Sequence, residues 1–104
     1  MGWVFLLIAG ISEIGWPLGL KLASYRAPIF WTAFAVVAMI FSSYFLYLAQ
    51  RSIPMGIAYS IWTGVGAVGA FLIGIIWFED PVNLYRVISV ALIIIGIIGI
   101  KLAG

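Results

Sequence analysis

Gly10-Ile11-Ser12-Glu13-Ile14-Gly15-Trp16 places one carboxylate in the middle of the first apolar stretch of the chain. Within ten residues on either side of Glu13, Lys21 is the only other charge. A charge at the centre of a membrane-spanning helix costs about 2.5–3.5 kcal/mol on the insertion scale. An acid set at that depth reads as functional, on an ion or proton pathway. The plainer alternative is a tolerated defect in a single span. No second acid lies within any apolar segment to share that explanation.

Working outward, composition fixes the fold class. Of 104 residues, 66% are hydrophobic and 8% charged, against about 25% charged in soluble domains. Such a chain cannot clothe a water-facing surface, so an all-α integral membrane protein is expected. There is no His and no Cys, which removes disulfides, thiolate chemistry and the commonest metal ligands. Glu13, Glu79 and Asp80 are the only acids. A metal cage and hydrolytic acid–base chemistry both run short of groups, so neither an enzyme nor a metal or other cofactor is expected. The net charge of +2 is too small and too spread out for a nucleic-acid partner. The N-terminus has no basic region before Trp3, an acid within its apolar stretch and no small-residue cleavage site. It is expected to stay as a span and not to act as a signal peptide.

Four apolar segments follow, over residues 3–22, 29–48, 55–78 and 87–100. The last is short for the ~20 residues a span needs. Arg86 and Lys101 flank it, and both can snorkel to the interfaces. Pro28, Pro54 and Pro81 are expected at helix starts, where a missing N–H is harmless. Trp3, Tyr25, Trp31, Tyr47, Trp77 and Tyr85 lie near segment ends, as interfacial belts do. Residues 1–104 are expected to form a single four-helix transmembrane domain.

The loops barely discriminate between the two sides of a membrane. One side carries Lys21, Arg26 and Arg86, the other Arg51, Lys101 and the amino terminus. The positive-inside rule then has almost nothing to act on. Insertion in both orientations and an antiparallel, dual-topology homodimer are the expected outcome, with a heterodimer left open. Two copies would enclose a pathway that four helices only wall on one side, a geometry many transporters reach with inverted repeats.

Around the acid, Leu6, Ala9, Gly10, Glu13, Trp16, Pro17 and Leu20 share a helical stripe. The small residues before Glu13 leave room for a ligand or a close helix. The Trp16 indole can donate to the carboxylate. Pro17 cannot donate to the Glu13 carbonyl, which predicts a bend at the acid, either an ordinary kink or the lining of a cavity. Ser42 and Ser43 stand mid-way along segment two; each either bonds back to its own helix or orients Glu13. In segment three Tyr59, Trp62 and Gly66 form one stripe, and Gly66, Ala70 and Gly74 a run of small residues. Gly64, Gly66 and Gly69 suit a packing seam, a hinge or both, and the run of small residues favours close packing. Segment four offers Ser89, Leu92, Ile93 and Gly96 on one face, which reads as a dimer seam.

With these features in view, the chain resembles the small multidrug resistance family along essentially its whole length. Pro54-Met55-Gly56-Ile57-Ala58-Tyr59-Ser60-Ile61-Trp62-Thr63-Gly64-Val65-Gly66 carries the resemblance most specifically. Trp16 and Lys21 around Glu13, with Gly66-Ala67-Val68-Gly69-Ala70, look like the guanidinium exporter subtype within it. The resemblance implies an antiparallel dimer with two Glu13 side chains in one site and a dimer contact through segment four. It implies that Trp16, Ser42 and Trp62 hydrogen-bond the carboxylates and that Tyr59 takes part in gating. Gly10, Pro17, Met39, Thr63 and Gly66 are expected to line or pack the pocket. Pro17 and the loop Tyr25-Arg26-Ala27 depart from the subtype's usual pattern.

Two carboxylates in one low-dielectric site cannot both stay ionised at small cost, and they titrate as a coupled pair. Protons and a cation then compete for the pair, which is the coupling an antiporter needs. A planar guanidinium matches a carboxylate with two parallel N–H donors, and Trp16 and Trp62 add cation–π faces. Exchange of two protons for one cation would move one net charge, worth ~2.3 kcal/mol per 100 mV. The expected function is proton-coupled export of guanidinium or small guanidinium-bearing cations from the cell inner membrane. The alternative is a broad-specificity exporter of hydrophobic quaternary ammonium drug cations.

Overall fold

The structure, a computed structural model, describes residues 1–103. Among the described residues five helical elements follow one another: α1 (Gly2–Glu13), α2 (Gly15–Ala23), α3 (Pro28–Gln50), α4 (Met55–Phe78) and α5 (Leu84–Ala103). α1 and α2 form one apolar run, Gly2–Ala23. With α3, α4 and α5 it makes four helices long and apolar enough to cross a bilayer, as the composition requires.

The first span is interrupted immediately after the acid. Pro17 has no N–H to give the Glu13 carbonyl. Ile14 keeps right-handed helical angles (φ −63°, ψ −30°), but its N–H turns to the Ile11 carbonyl at 3.2 Å. The Leu18 N–H reaches the Ile14 carbonyl at 3.3 Å. The helix therefore tightens into a local three-residue turn at this point.

The ends of the other helices have equally local causes. Pro28 is the first residue of α3 and Pro54 caps α4. Pro81 does not start a helix, contrary to expectation. Asn83 sets the start of α5, its Oδ1 accepting the Arg86 N–H at 2.9 Å, which is a capping bond. The Pro81 carbonyl instead accepts Arg86 Nη1 at 3.0 Å. The fourth span is thus 20 residues long, with Arg86 and Lys101 inside its two ends. α4 ends at Glu79 in the left-handed region (φ 54°). That turn brings the Asp80 N–H back to the Gly74 carbonyl at 3.0 Å.

The first span is the central one. It packs on α3 along its whole length and on α4. α5 has no buried residue, and its main neighbour is α4. The chain is consequently a slab of 42 × 34 × 16 Å. Its core is small: Leu6, Ala49, Ile53, Ala58 and Ile61. Large apolar side chains such as Val37 and Ile40 of α3 point outward, as they do where the surrounding solvent is lipid.

Candidate functional site

Glu13 is the last residue of α1, held where the first span presses on α4. Its side chain lies against Gly66. A Cβ at Gly66 would fall 2.6 Å from Glu13 Cγ and 3.2 Å from Glu13 Cβ, so only glycine leaves room for the acid here. Glu13 is half-buried. Its Oε1 is buried and, among the described residues, has no hydrogen-bond partner. The polar side-chain atoms of Trp16 and Ser42 face the carboxyl group. A buried polar atom without a partner costs about 1–3 kcal/mol and calls for an explanation in the protein's chemistry.

Behind the acid runs a relay that ties three helices together. The Trp62 indole Nε1 donates to Ser42 Oγ at 2.8 Å. Ser42, with 0% of its surface exposed, donates in turn to the Ala9 carbonyl at 2.8 Å. Ala9 sits one turn before Glu13, so α4 and α3 both fix the segment that carries the acid. Ser42 does not bond back to its own helix. Family resemblance implies hydrogen bonds from Trp16, Ser42 and Trp62 to the carboxylate. In the single chain the Trp62 donor goes to Ser42 Oγ and the Ser42 donor to the Ala9 carbonyl. A hydroxyl has one proton to give, and here the Ala9 carbonyl takes it.

The remaining residues of the α4 stripe face outward. Tyr59 is 53% exposed, and its ring centroid lies 5.4 Å from that of Trp62 at 50°. Thr63 and Met39 are exposed on α4 and α3. Gly10 is buried and serves packing: a Cβ there would meet Val65 Cγ1 at 2.9 Å. Glu13, Trp16, Ser42, Trp62 and Gly66 are thus brought into one partly buried neighbourhood, with Tyr59 at its exposed edge.

Pro17 stands one turn after Glu13, towards the loop. It lines a cavity of about 180 Å³ together with Lys21, Ala70, Gly74, Phe78 and Asp80. The first span runs parallel to α4, so Glu13 meets Gly66 while Pro17 meets the next turn towards the loop. Lys21 closes that end, its Nζ 5.5 Å from the Tyr25 ring centroid and 5.8 Å from that of Phe78. These two rings stack with centroids 5.9 Å apart.

On α5, Leu92 and Gly96 are turned outward: Leu92 is exposed, and a Cβ at Gly96 would meet nothing within 4 Å. Ile93 is shared with α4, where a Cβ at Gly64 would meet its Cγ2 at 3.5 Å. Ser89 Oγ is occupied by its own helix, donating to the Tyr85 carbonyl at 2.7 Å. Sequence reasoning did not identify the Ala9 carbonyl as the acceptor of the relay, and a backbone oxygen leaves no mark in a sequence. It also passed over Asn83, which stands before an apolar run as a helix-starting residue does.

A carboxylate at mid-span, with one oxygen unpartnered and aromatic rings beside it, can hold a proton or a small organic cation. The comparisons agree with a transport role. A family model described as small multidrug resistance protein matches residues 1–93. The chain is 45% identical over 104 residues to a guanidinium exporter of Proteus vulgaris, covering 100% of both chains. It is 44% identical over 103 residues to a guanidinium exporter of Shigella flexneri, covering 99% of this chain and 98% of that one. A guanidinium exporter of Yersinia pestis is 42% identical over 104 residues, with 100% of both chains covered.

Proposed function

The chain belongs to the small multidrug resistance family, and from that premise we propose that it exports guanidinium or small guanidinium-bearing cations in exchange for protons. Two copies, inserted in opposite orientations, enclose one site that holds both Glu13 carboxylates. The observation that carries the reading is the Glu13 oxygen, buried at mid-span and without a hydrogen-bond partner among the described residues. Relatives named guanidinium exporter, similar over their full length, support the substrate class.

Dimerisation is supported by the shape of the slab. The chain is 42 × 34 × 16 Å, Glu13 is only half-buried within it, and α5 has no buried residue. A second copy would close the face over Glu13 and cover the outward side of Leu92 and Gly96. Nearly balanced loop charges favour dual topology in the inner membrane. A heterodimer with a homologous subunit would close the site equally well.

In the exchange, each role follows from what the side chains can do. The paired carboxylates bind either protons or one cation. A guanidinium offers them parallel N–H donors. Trp62 and Trp16 supply ring faces for the cation, and Ser42 fixes Trp62. Tyr59, at the open side of Trp62, is placed to gate access. Exchange of two protons for one monovalent cation transfers one charge, so transport is electrogenic.

Protein reconstituted in liposomes on a sensor surface tests this reading. Guanidinium is expected to evoke currents driven by a proton gradient, and Glu13→Gln to abolish them. Currents absent with guanidinium but present with quaternary ammonium compounds would reverse the substrate class. The exposed Tyr59–Trp62 corner is the one feature that favours that second reading, since two angled rings suit a quaternary ammonium.

A further inference from the structure

We infer that the side of the chain opposite Glu13 carries a binding groove for one acyl chain of an anionic phospholipid, with Lys101 holding the headgroup. α5 leans on α4 and leaves a gap beside the first span. Two cavities occupy it, of about 420 Å³ and about 320 Å³. Val65 and Ile97 line both, so the two adjoin end to end. From the α1 side the groove is lined by Val4, Leu7 and, at its inner end, Ile14. That spacing of three and then seven residues keeps them on one helical stripe, about opposite the stripe of Ala9, Glu13 and Trp16.

Length, polarity and charge select the occupant. Val4 to Ile14 spans ten residues, about 15 Å at 1.5 Å per residue. That is half of the ~30 Å hydrocarbon core, the depth of one leaflet. Apart from Lys101 and the Trp3 indole at its outer end, the side chains that line the groove are apolar. Lys101 stands at that outer end with its Nζ 4.1 Å from the centroid of the Trp3 ring. The contact holds the ammonium at the interfacial level, where a lipid phosphate lies. The same end of the molecule carries Arg51 and the amino terminus and no acidic side chain, since Glu79 and Asp80 lie in the loop at the other end. An anionic headgroup therefore suits it better than a zwitterionic one.

Native mass spectrometry of the purified full-length protein, given equal amounts of phosphatidylglycerol and phosphatidylcholine, tests the assignment. The wild-type protein is expected to retain phosphatidylglycerol preferentially. Lys101→Gln should lower that preference about fivefold and Lys101→Arg preserve it. Leu7→Trp, which fills the groove from an exposed position, should lower retention of both lipids. Equal retention of the two lipids by the wild type, or retention unchanged in both Lys101→Gln and Leu7→Trp, would overturn the proposal. So would an efficient disulfide between two copies of Leu7→Cys in the bilayer, because a second chain would then occupy the groove.

Discussion

Glu13 and Gly66 are in direct contact across the first span and α4: a single methyl group on Gly66 would stand 2.6 Å from Glu13 Cγ. The acid occupies its position because α4 offers a backbone where any other residue would offer a side chain. The carboxylate is thereby pinned to one helix at a fixed depth.

Gly66→Ala should therefore displace the acid and not simply stabilise α4. Alanine gains about 1 kcal/mol of helix propensity over glycine, but overpacking costs about 1–3 kcal/mol. Transport in liposomes is expected to fall about ten- to hundredfold, since a shift of about 1 Å in a reacting group has effects of that size. Helical content should be retained. Wild-type transport in Gly66→Ala would show that the contact does not position the acid.

The relay from Trp62 through Ser42 to Ala9 should behave as one unit. Ser42→Ala and Trp62→Phe are each expected to lower unfolding stability in detergent by about 1 kcal/mol. The double variant should lose less than the sum, with a coupling of about 0.5–1.5 kcal/mol. Additive losses would mean that the two bonds do not depend on one another.

The glycines of α4 and α5 separate internal packing from an outward face. Gly64→Ala would place a Cβ 2.7 Å from Ile97 Cδ1 and should loosen α5 from α4, read as earlier thermal unfolding. Gly56→Ala meets nothing within 4 Å and should be neutral or stabilising by up to about 1 kcal/mol. At Gly96 a Cβ also meets nothing within 4 Å, and Gly96→Leu puts a bulky side chain on that outward position. If α5 is the seam between copies, this variant should shift the detergent-solubilised protein from dimer to monomer by light scattering, with helical content unchanged.

Much of this was legible in the sequence because membrane insertion imposes simple rules. Four uncharged or nearly uncharged runs dictated four spans, and Glu13 stood out because its cost at mid-depth is so high. Pro17 marked the interruption at Ile14 through its missing donor. The ends of the fourth span were misjudged because charged residues were taken as boundaries. Arg86 and Lys101 are long enough to reach water from inside a helix, and Asn83 sets the true start. Gly66 could be recognised as a small residue on a packing stripe, but its partner could not, because the contact depends on how far the first span slides along α4. Pro17, one turn after the acid, lines a cavity that runs towards Lys21 and Asp80. The Ser42 relay ends on a backbone carbonyl and was beyond sequence reasoning for that reason.

The exclusive occupancy of Glu13 by protons or by cation is tested most directly by guanidinium affinity as a function of pH, measured by calorimetry on purified protein. Lowering the pH protonates the carboxylates and removes the charge that holds the cation. Affinity should therefore fall on the acid side by up to about tenfold per pH unit for each proton displaced, and level off at high pH. Binding should release protons to the buffer, and Glu13→Gln should bind no guanidinium. An affinity that stays constant between about pH 6 and 9 while proton release is absent, or guanidinium binding retained in Glu13→Gln, would contradict the account.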